Sequence, residues 1–283
     1  MHASEKLTGI QELTREALHD ALDLARSRGW TIHEPEWKAL LHQGACFALY
    51  VDDELVSTIT TIRQGDVCVL GMLLVKDTYQ RRGIGTSMMR HAMARLPVRS
   101  FALAATSMGA PVYRRIGFIP RGRIIQLHAD HFDGPSADIN LPSVRPGCSH
   151  DLAAMASLDT TAYGWPRGEA MAIAMQISRR MVVDTSQDGQ ILGFGGIRDH
   201  GAGSLVGPLT ARSPSAASRV LAALCQGAQE PITLQIWANH HELLAWARAH
   251  GFQETASLTY MVHGPVPVGT GGYQFAPLSG ALC

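Results

Sequence analysis

Charge of either sign is scarce and evenly matched. There are 24 Lys and Arg against 24 Asp and Glu, and charged residues make up 17% of the chain. A balanced chain gives no electrostatic reason for a nucleic-acid or anionic-membrane partner, and neither is expected. Long apolar runs are missing. No uninterrupted stretch approaches the roughly 18 residues of a membrane span. Met1 to Gly9 lacks the apolar core of a secretory leader, so no signal peptide and a cytoplasmic location are expected. Cysteine is sparse and dispersed: Cys46, Cys68, Cys148, Cys225 and Cys283 form no CxxC pair and no tight Cys/His cluster. That pattern supports neither a disulfide framework nor a structural zinc, and isolated thiols suit a reducing compartment. What is plentiful is apolar material, 46% of 283 residues. It is enough for two packed cores, and the length suggests two domains of about 140 residues each.

Periodicity gives the first half an α+β order. A short strand is expected near Leu7 to Leu13, then a helix opened by Thr14 and Glu16 and ended by Gly29. A second helix covers Pro35 to His42. Three strands follow, Cys46 to Val51, Leu55 to Arg63 and Val67 to Val75, with turns at Asp52-Asp53 and Gln64-Gly65-Asp66. Next come a helix from Ile84 to Leu96, a strand from Phe101 to Ala105, a short helix before Gly117, and a strand from Phe118 to Leu127. Ala129 to Gly147, rich in Asp, Pro, Ser and Gly, reads as a linker. After it the order repeats. Helices are expected at Ser149 to Ala162 and Pro166 to Arg180, and strands at Met181 to Asp184, Ile191 to Ile197 and Ser204 to Leu209. A helix (Ser215 to Cys225), a strand (Ile232 to Trp237), a helix (Glu242 to His250) and a strand (Phe252 to Val262) complete the set. Both halves close on a helix, a Gly-Phe pair and a long strand, at Gly117-Phe118 and Gly251-Phe252, which points to a tandem duplication. The expected division is 1–130, a linker at 131–147, and 148–283.

The segment from Val75 to Thr86 carries the most chemistry. Gln80-Arg81-Arg82-Gly83-Ile84-Gly85 follows an apolar strand and opens a helix. Glycines at such a turn leave backbone N–H groups uncovered, and the positive end of the helix dipole adds to them, so phosphate oxygens fit there. Arg81 and Arg82 add charge. No Gly-Lys-Ser/Thr follows, which excludes a Walker A loop, and Met88 stands where a dinucleotide fold needs its third glycine.

The string Gln80 to Gly85 resembles the coenzyme A pyrophosphate loop of the GNAT N-acetyltransferase superfamily, whose pattern is Gln/Arg, two residues, Gly, one residue, Gly/Ala. Val75 stands where that family ends its fourth strand, and Tyr113 lies four residues before Gly117-Phe118, as in the family's second motif. The resemblance spans about residues 5–128. It implies an α/β fold with an α+β mixed sheet, here as two tandem GNAT-like domains. It implies acetyl-CoA as co-substrate, with the pantetheine arm in a gap beside Met72 to Val75, on Leu73, Leu74 and Val75. Gln80, Arg81, Arg82, Gly83, Ile84, Gly85 and Thr86 would hold the pyrophosphate, and Tyr113 would protonate the departing thiolate. The second half departs from the pattern. Leu209 to Ser218 has no glycine, Pro214 removes a donor, and Ala247 replaces the tyrosine. A degenerate copy is expected, covering the substrate cleft or making an oligomer contact such as a homodimer.

The expected reaction is direct transfer of an acetyl group to a primary amine of a small molecule, with no metal. A protein- or peptide-directed acetyltransferase, an acyl-CoA decarboxylase and a non-catalytic acyl-CoA sensor remain open. Cys68 on the strand leading to the cofactor could suggest a thioester intermediate, but nothing adjacent would lower its pKa, so an inert thiol is expected. No general base is evident; Asp66, Glu54, Glu34 and His33 are the candidates. His128, Asp130, His131 and Asp133 fit no closed metal site, and His240-His241 with Glu242 reads as a helix opening. Trp30, Trp37, Trp165, Trp237 and Trp246 are candidates either for packing or for lining an aromatic amine pocket.

Overall fold

A computed structural model describes residues 9–30, 33–132, 134, 143–270 and 272–280. Leu7, Asp133, much of the expected linker and Cys283 lie outside the described residues. The first half runs β1 (Gln11–Glu12), α1 (Leu18–Ser27), α2 (Glu34–Gln43), β2 (Ala45–Val51), β3 (Glu54–Gln64), β4 (Val67–Val75), α3 (Ile84–Arg95), β5 (Ser100–Ala105), α4 (Ala110–Arg115) and β6 (Ile119–Ala129). The second runs β7 (Val144–Pro146), α5 (Leu152–Tyr163), α6 (Gly168–Ile177), β8 (Arg180–Thr185), β9 (Ile191–His200), β10 (Gly203–Ala211), α7 (Pro214–Cys225), β11 (Ile232–Trp237), α8 (His241–Ala249), β12 (Gln253–His263) and β13 (Gln274–Ala276). The elements expected from periodicity are present, and two were not expected. β7 forms inside the segment read as linker and pairs with β8, and β13 pairs with β10 near the end of the chain.

Local chemistry explains the hairpins. Asp52 and Asp53 both take left-handed backbone angles, φ 48° and 65°, as the twisted two-residue turn between antiparallel strands demands. Asp tolerates that region better than most side chains. β3 then supplies Thr58, Thr60 and Thr61, β-branched residues that suit a strand buried on both faces.

All the strands join one sheet, in the order β1-β2-β3-β4-β5-β12-β6-β11-β10-β9-β8-β7, with β13 on β10. Each half begins as an antiparallel meander and adds a parallel strand, β5 beside β4 and β11 beside β10. The closing strands are then exchanged. β12 of the second half pairs with β5 of the first, and β6 of the first pairs with β11 of the second. The two exchanged strands lie antiparallel to each other at the centre. The expected division into two units therefore follows the order of the chain but not the hydrogen bonding of the sheet.

Helices cover both faces. On one, α1 and α2 share a core with α5 and α6, built from Trp37, Leu40, Met155, Met171 and Ile173. On the other, α3 packs Met88, Met89 and Ala92 against the first half, and α7 packs Ala217, Val220 and Leu221 against the second. Each buried Met or Leu contributes on the order of 1.5–3 kcal/mol of apolar transfer. A buried ion pair also ties the halves, Glu36 Oε2 of α2 to Arg198 Nε of β9 at 3.7 Å. No helix among the described residues is long and apolar enough to cross a membrane.

Candidate active site

The site begins with an irregularity in β4. Opposite Thr58 and Thr60 of β3 lie Leu74 and Gly71, so β4 carries one extra residue. Met72 takes φ 49° there, a left-handed angle unusual for a side chain of that size. A bulge of this kind bends its strand and increases the local twist. On its other side, β4 pairs with β5 only from Val67 to Val69, against Ser100 to Ala102. Beyond that point the two strands part. Lys76 N donates to Val56 O on the β3 side, so by alternation Leu73 and Val75 turn their backbone groups toward the gap. The gap is a cleft of about 600 Å³ that passes between the strands. Leu73, Leu74 and Val75 line one wall, and Ala104 of β5 faces them.

At the end of β4 the chain turns into α3. Gln80 folds back on this turn, its Nε2 donating to Asp77 Oδ1 at 2.9 Å and to Val75 O at 3.3 Å. Arg81 and Gly83 both take left-handed angles, φ 59° and 80°. Gly83 meets that demand without a steric cost, whereas Arg81 holds strain of order 1–3 kcal/mol. The first amide bonded back into the turn is Ser87 N, to Gly83 O at 3.1 Å, so the amides of Ile84, Gly85 and Thr86 come before it. Gly85 has negative φ, and a Cβ there would meet only Leu73 Cδ2 at 3.8 Å and Val75 Cγ2 at 3.9 Å, ordinary contacts. Among the described residues nothing requires glycine at 85, and its lack of a side chain leaves the turn open to close approach, so in this respect the loop fits a pyrophosphate. Gln80, Arg81, Gly83, Ile84, Gly85 and Thr86 all line the cleft. Arg82 does not; its guanidinium lies over the Tyr79 ring, 5.0 Å from the centroid.

Tyr113 lines the cleft from α4. Its place follows from how that helix ends. Gly117, φ 95°, lets Phe118 N bond back to Tyr113 O at 3.0 Å and Gly117 N to Arg114 O at 3.1 Å, a left-handed glycine cap. Phe118 is buried and its ring lies 6.1 Å from that of Tyr113. Gly109 makes room on the other side, since a Cβ there would stand 2.9 Å from Tyr113 Cε2. Burial pushes the phenol up to about 12. The second half repeats the cap: Gly251 takes φ 90° and Phe252 N bonds to Ala247 O at 3.1 Å. Alanine occupies the position of the tyrosine.

The phosphate-type loop is not repeated. Ser213 caps α7, its Oγ accepting from Ala216 N at 3.2 Å, and Pro214 follows it. A side chain thus serves an amide that α3 leaves to the cleft.

Of the other candidates, the Cys68 thiol is buried and pushed up to about 12 by that burial, which makes it inert at neutral pH. None of the four candidate bases lines the cleft. Glu54 pairs with Lys76, Glu34 pairs with Lys38 at 2.7 Å, and Asp66 sits in the turn at the far end of β4. His33 lies on a second hollow beside Glu34 and Pro35. His128 Nε2 lies 3.4 Å from Asp130 Oδ1, and among the described residues no three His, Cys, Asp or Glu side chains converge as metal ligands. His240 and Glu242 do open α8. Trp37, Trp165 and Trp237 are buried, and Trp246 stacks on His250 at 4.0 Å. Trp30 alone of the five lines the cleft, with Arg28 beside it and Gly280 from the end of the chain. Arg28 and Gly280 carry no motif; Arg28 is held by an ion pair with Asp77, on the turn that leads into α3.

Comparison with known proteins agrees with this geometry. Residues 27–127 and residues 155–276 each match a family model described as an acetyltransferase (GNAT) domain. YitH of Bacillus subtilis strain 168, described as an uncharacterized N-acetyltransferase, is 28% identical over 279 residues, 96% of this chain and 97% of its own. The crystal structure of a candidate acetyltransferase from Pyrococcus horikoshii has a TM-score of 0.82 at 20% identity, over 100% of this chain and 99% of that one. A tandem GNAT protein from the clavulanic acid biosynthesis pathway has a TM-score of 0.68 at 13% identity, over 92% and 98%. The chain belongs to the GNAT acetyltransferase superfamily, as a tandem member with a GNAT half at each end, and acyl transfer is the chemistry of that family.

Proposed function

We propose that this protein moves an acetyl group from acetyl-CoA directly to the primary amine of a small molecule, in the cleft of its first half. The observation that carries the proposal is the parting of β4 and β5 after Val69 and Ala102, with the glycine turn at one end of the gap and Tyr113 on its wall. An extended pantetheine arm pairs with free strand groups as an added strand would, and Leu73 and Val75 offer such groups. The amides of Ile84, Gly85 and Thr86 meet the pyrophosphate. A backbone N–H near the β4 bulge stabilises the oxyanion as the amine nitrogen bonds to the thioester carbon. The carbon–sulfur bond then breaks, and Tyr113 gives its proton to the sulfur. The proton lost by the amine nitrogen passes through water and restores the Tyr113 phenol, since among the described residues lining the cleft there is no carboxylate or imidazole to take it.

A small acceptor is favoured over a peptide because Gly280 of the second half joins the lining of the same cleft. Tyr113 favours an enzyme over a sensor. The test is thiol release from acetyl-CoA against amino acids, polyamines, amino sugars and lysine peptides. Turnover with a small amine is expected. Turnover with peptides alone, or acetyl-CoA binding with no turnover at all, would replace this function with one of the alternatives.

A further inference from the structure

We infer that the cleft of the second half is filled by the chain's own C-terminal segment, and that this segment goes on to form the acceptor-side wall of the first half's cleft. The inference rests on the proposed function. It begins with the repeat. β10 and β11 pair only from Ser204 to Val206, against Ile232 to Leu234, and then part as β4 and β5 do. In the second half the gap holds β13. It runs antiparallel to β10, with Leu209 opposite Ala276 and Thr210 opposite Gln274, and Ala211 N donates to Tyr273 O at 3.0 Å. Phe275 is fully buried and stacks on the His240 ring at 4.0 Å. His240 also bonds to Gln274 O, and Gln274 Nε2 donates to Ala162 O at 2.6 Å. A peptide strand thus satisfies the backbone groups that the first half leaves for its ligand.

The segment then crosses to the first half along a fixed path. It passes so close to Gly207 that a Cβ there would collide with the carbonyl oxygens of Pro277 and Leu278. Leu278 is fully buried in the core shared by α1, α2, α5 and α6. Ser279 Oγ lies 3.5 Å from Glu36 Oε1 on α2. Gly280 N donates to Gln235 Oε1 at 2.7 Å, and Gln235 Nε2 donates to Gln126 Oε1 at 3.0 Å. These partners place Gly280 on the α1–α2 face of the sheet, whereas α3 and its glycine turn lie against the other face. The cleft passes between the strands, so a coenzyme entering at α3 leaves the α1–α2 side to the acceptor. There, Trp30 from the α1–α2 connection forms one rim and Gly280 forms another, while Arg28 reaches back to pair with Asp77 at the turn before α3. Gln235 itself does not line the cleft. It is a positioning residue that holds Gly280 in place.

The probe is the amine with the highest kcat/KM in a panel of L-amino acids, spermidine, glucosamine and a lysine hexapeptide. With Gln235→Leu the KM for that amine should rise roughly three- to tenfold, the loss of one or two neutral hydrogen bonds, while kcat and the KM for acetyl-CoA stay within about twofold. Gln235→Glu should restore the amine KM, because its carboxylate still accepts from Gly280 N and the Gln126 amide can turn to donate to it. Should Gln235→Leu fail to fold, Gly280→Val, whose side chain must push against Leu258, reads the same split. An unchanged amine KM overturns the inference, as does a parallel rise in the KM for acetyl-CoA. If wild-type protein turns over no amine in the panel, the proposed function falls first and takes this inference with it.

Discussion

Tyr113→Phe is the substitution that bears most directly on the chemistry. It keeps the ring against Phe118 and Gly109 and removes only the hydroxyl. A phenol held at about 12 looks at first too weak an acid for a thiolate, whose thiol in water ionises near about 8.5. A thiolate that forms away from bulk water is a stronger base than in water, which narrows that gap. If Tyr113 only donates a hydrogen bond to the charged sulfur, its loss costs about 1.5–3 kcal/mol, or roughly 10- to 150-fold in kcat. Full proton transfer extends the range to about 10⁴-fold. Stopped-flow thiol release at saturating acetyl-CoA isolates the chemical step, and calorimetry reports acetyl-CoA affinity, which should stay near wild type. No loss of kcat from this group is expected below about pH 10, because the raised pKa keeps the phenol protonated there. A Phe variant within twofold of wild type, with chemistry rate-limiting, would refute the assignment.

Three further outcomes follow from the same structure. Gly85→Glu places a carboxylate where a phosphate is to lie and should weaken acetyl-CoA binding by more than about tenfold, or 1.4 kcal/mol; unchanged affinity in a folded variant, by calorimetry, removes this site. Titration should find one coenzyme A per chain, because β13 and Ser213 meet in the second half what the ligand would meet; two comparable sites would contradict this. Burial, with the charges of Arg198 and His33 nearby, lowers His200 to about 4. Its unfolded value is near about 6.5, so the unfolded state binds the proton more tightly; the stability is complete above that pH and falls by roughly 2–3 kcal/mol as the pH drops toward 4. His200→Gln should flatten that part of the melting-temperature profile, and an unaltered slope would show that other groups cause it.

Local signals made most of the fold legible. Alternation in Val67 to Val75, the glycine turn at Gly83 and the cap at Gly117 are decided within a few residues of chain, so they can be read from a string. The side proposed for the coenzyme is of this kind. The side proposed for the acceptor is not. Arg28 is held by an ion pair with Asp77, far along the chain, and Gly280 by a partner 45 positions away, Gln235. β13 has no signal in the sequence, because three residues in a Gly-Pro-rich tail carry no period; its strand character comes from the gap it fills. The exchange of β6 and β12 was equally hidden. Either closing strand would pattern the same way beside its own half or beside the other.

That exchange also gives a physical reason for a degenerate half to persist. Without β12, β5 of the first half would present a bare edge from Phe101 to Ala105, the wall of the cleft opposite β4. Without β6, β11 would be bare from Ile232 to Trp237. An unpaired central edge leaves a row of backbone groups unsatisfied and invites association. The absence of a glycine turn costs the second half's fold little, because Ser213 and Pro214 are good residues for opening a helix. Loss of β12 would remove one side of β5 and with it the geometry of the cleft. The second half can therefore do without a glycine turn while its strands remain indispensable to the cleft. Its Gly251 cap, which sets the start of β12, stays in place around an alanine for the same reason.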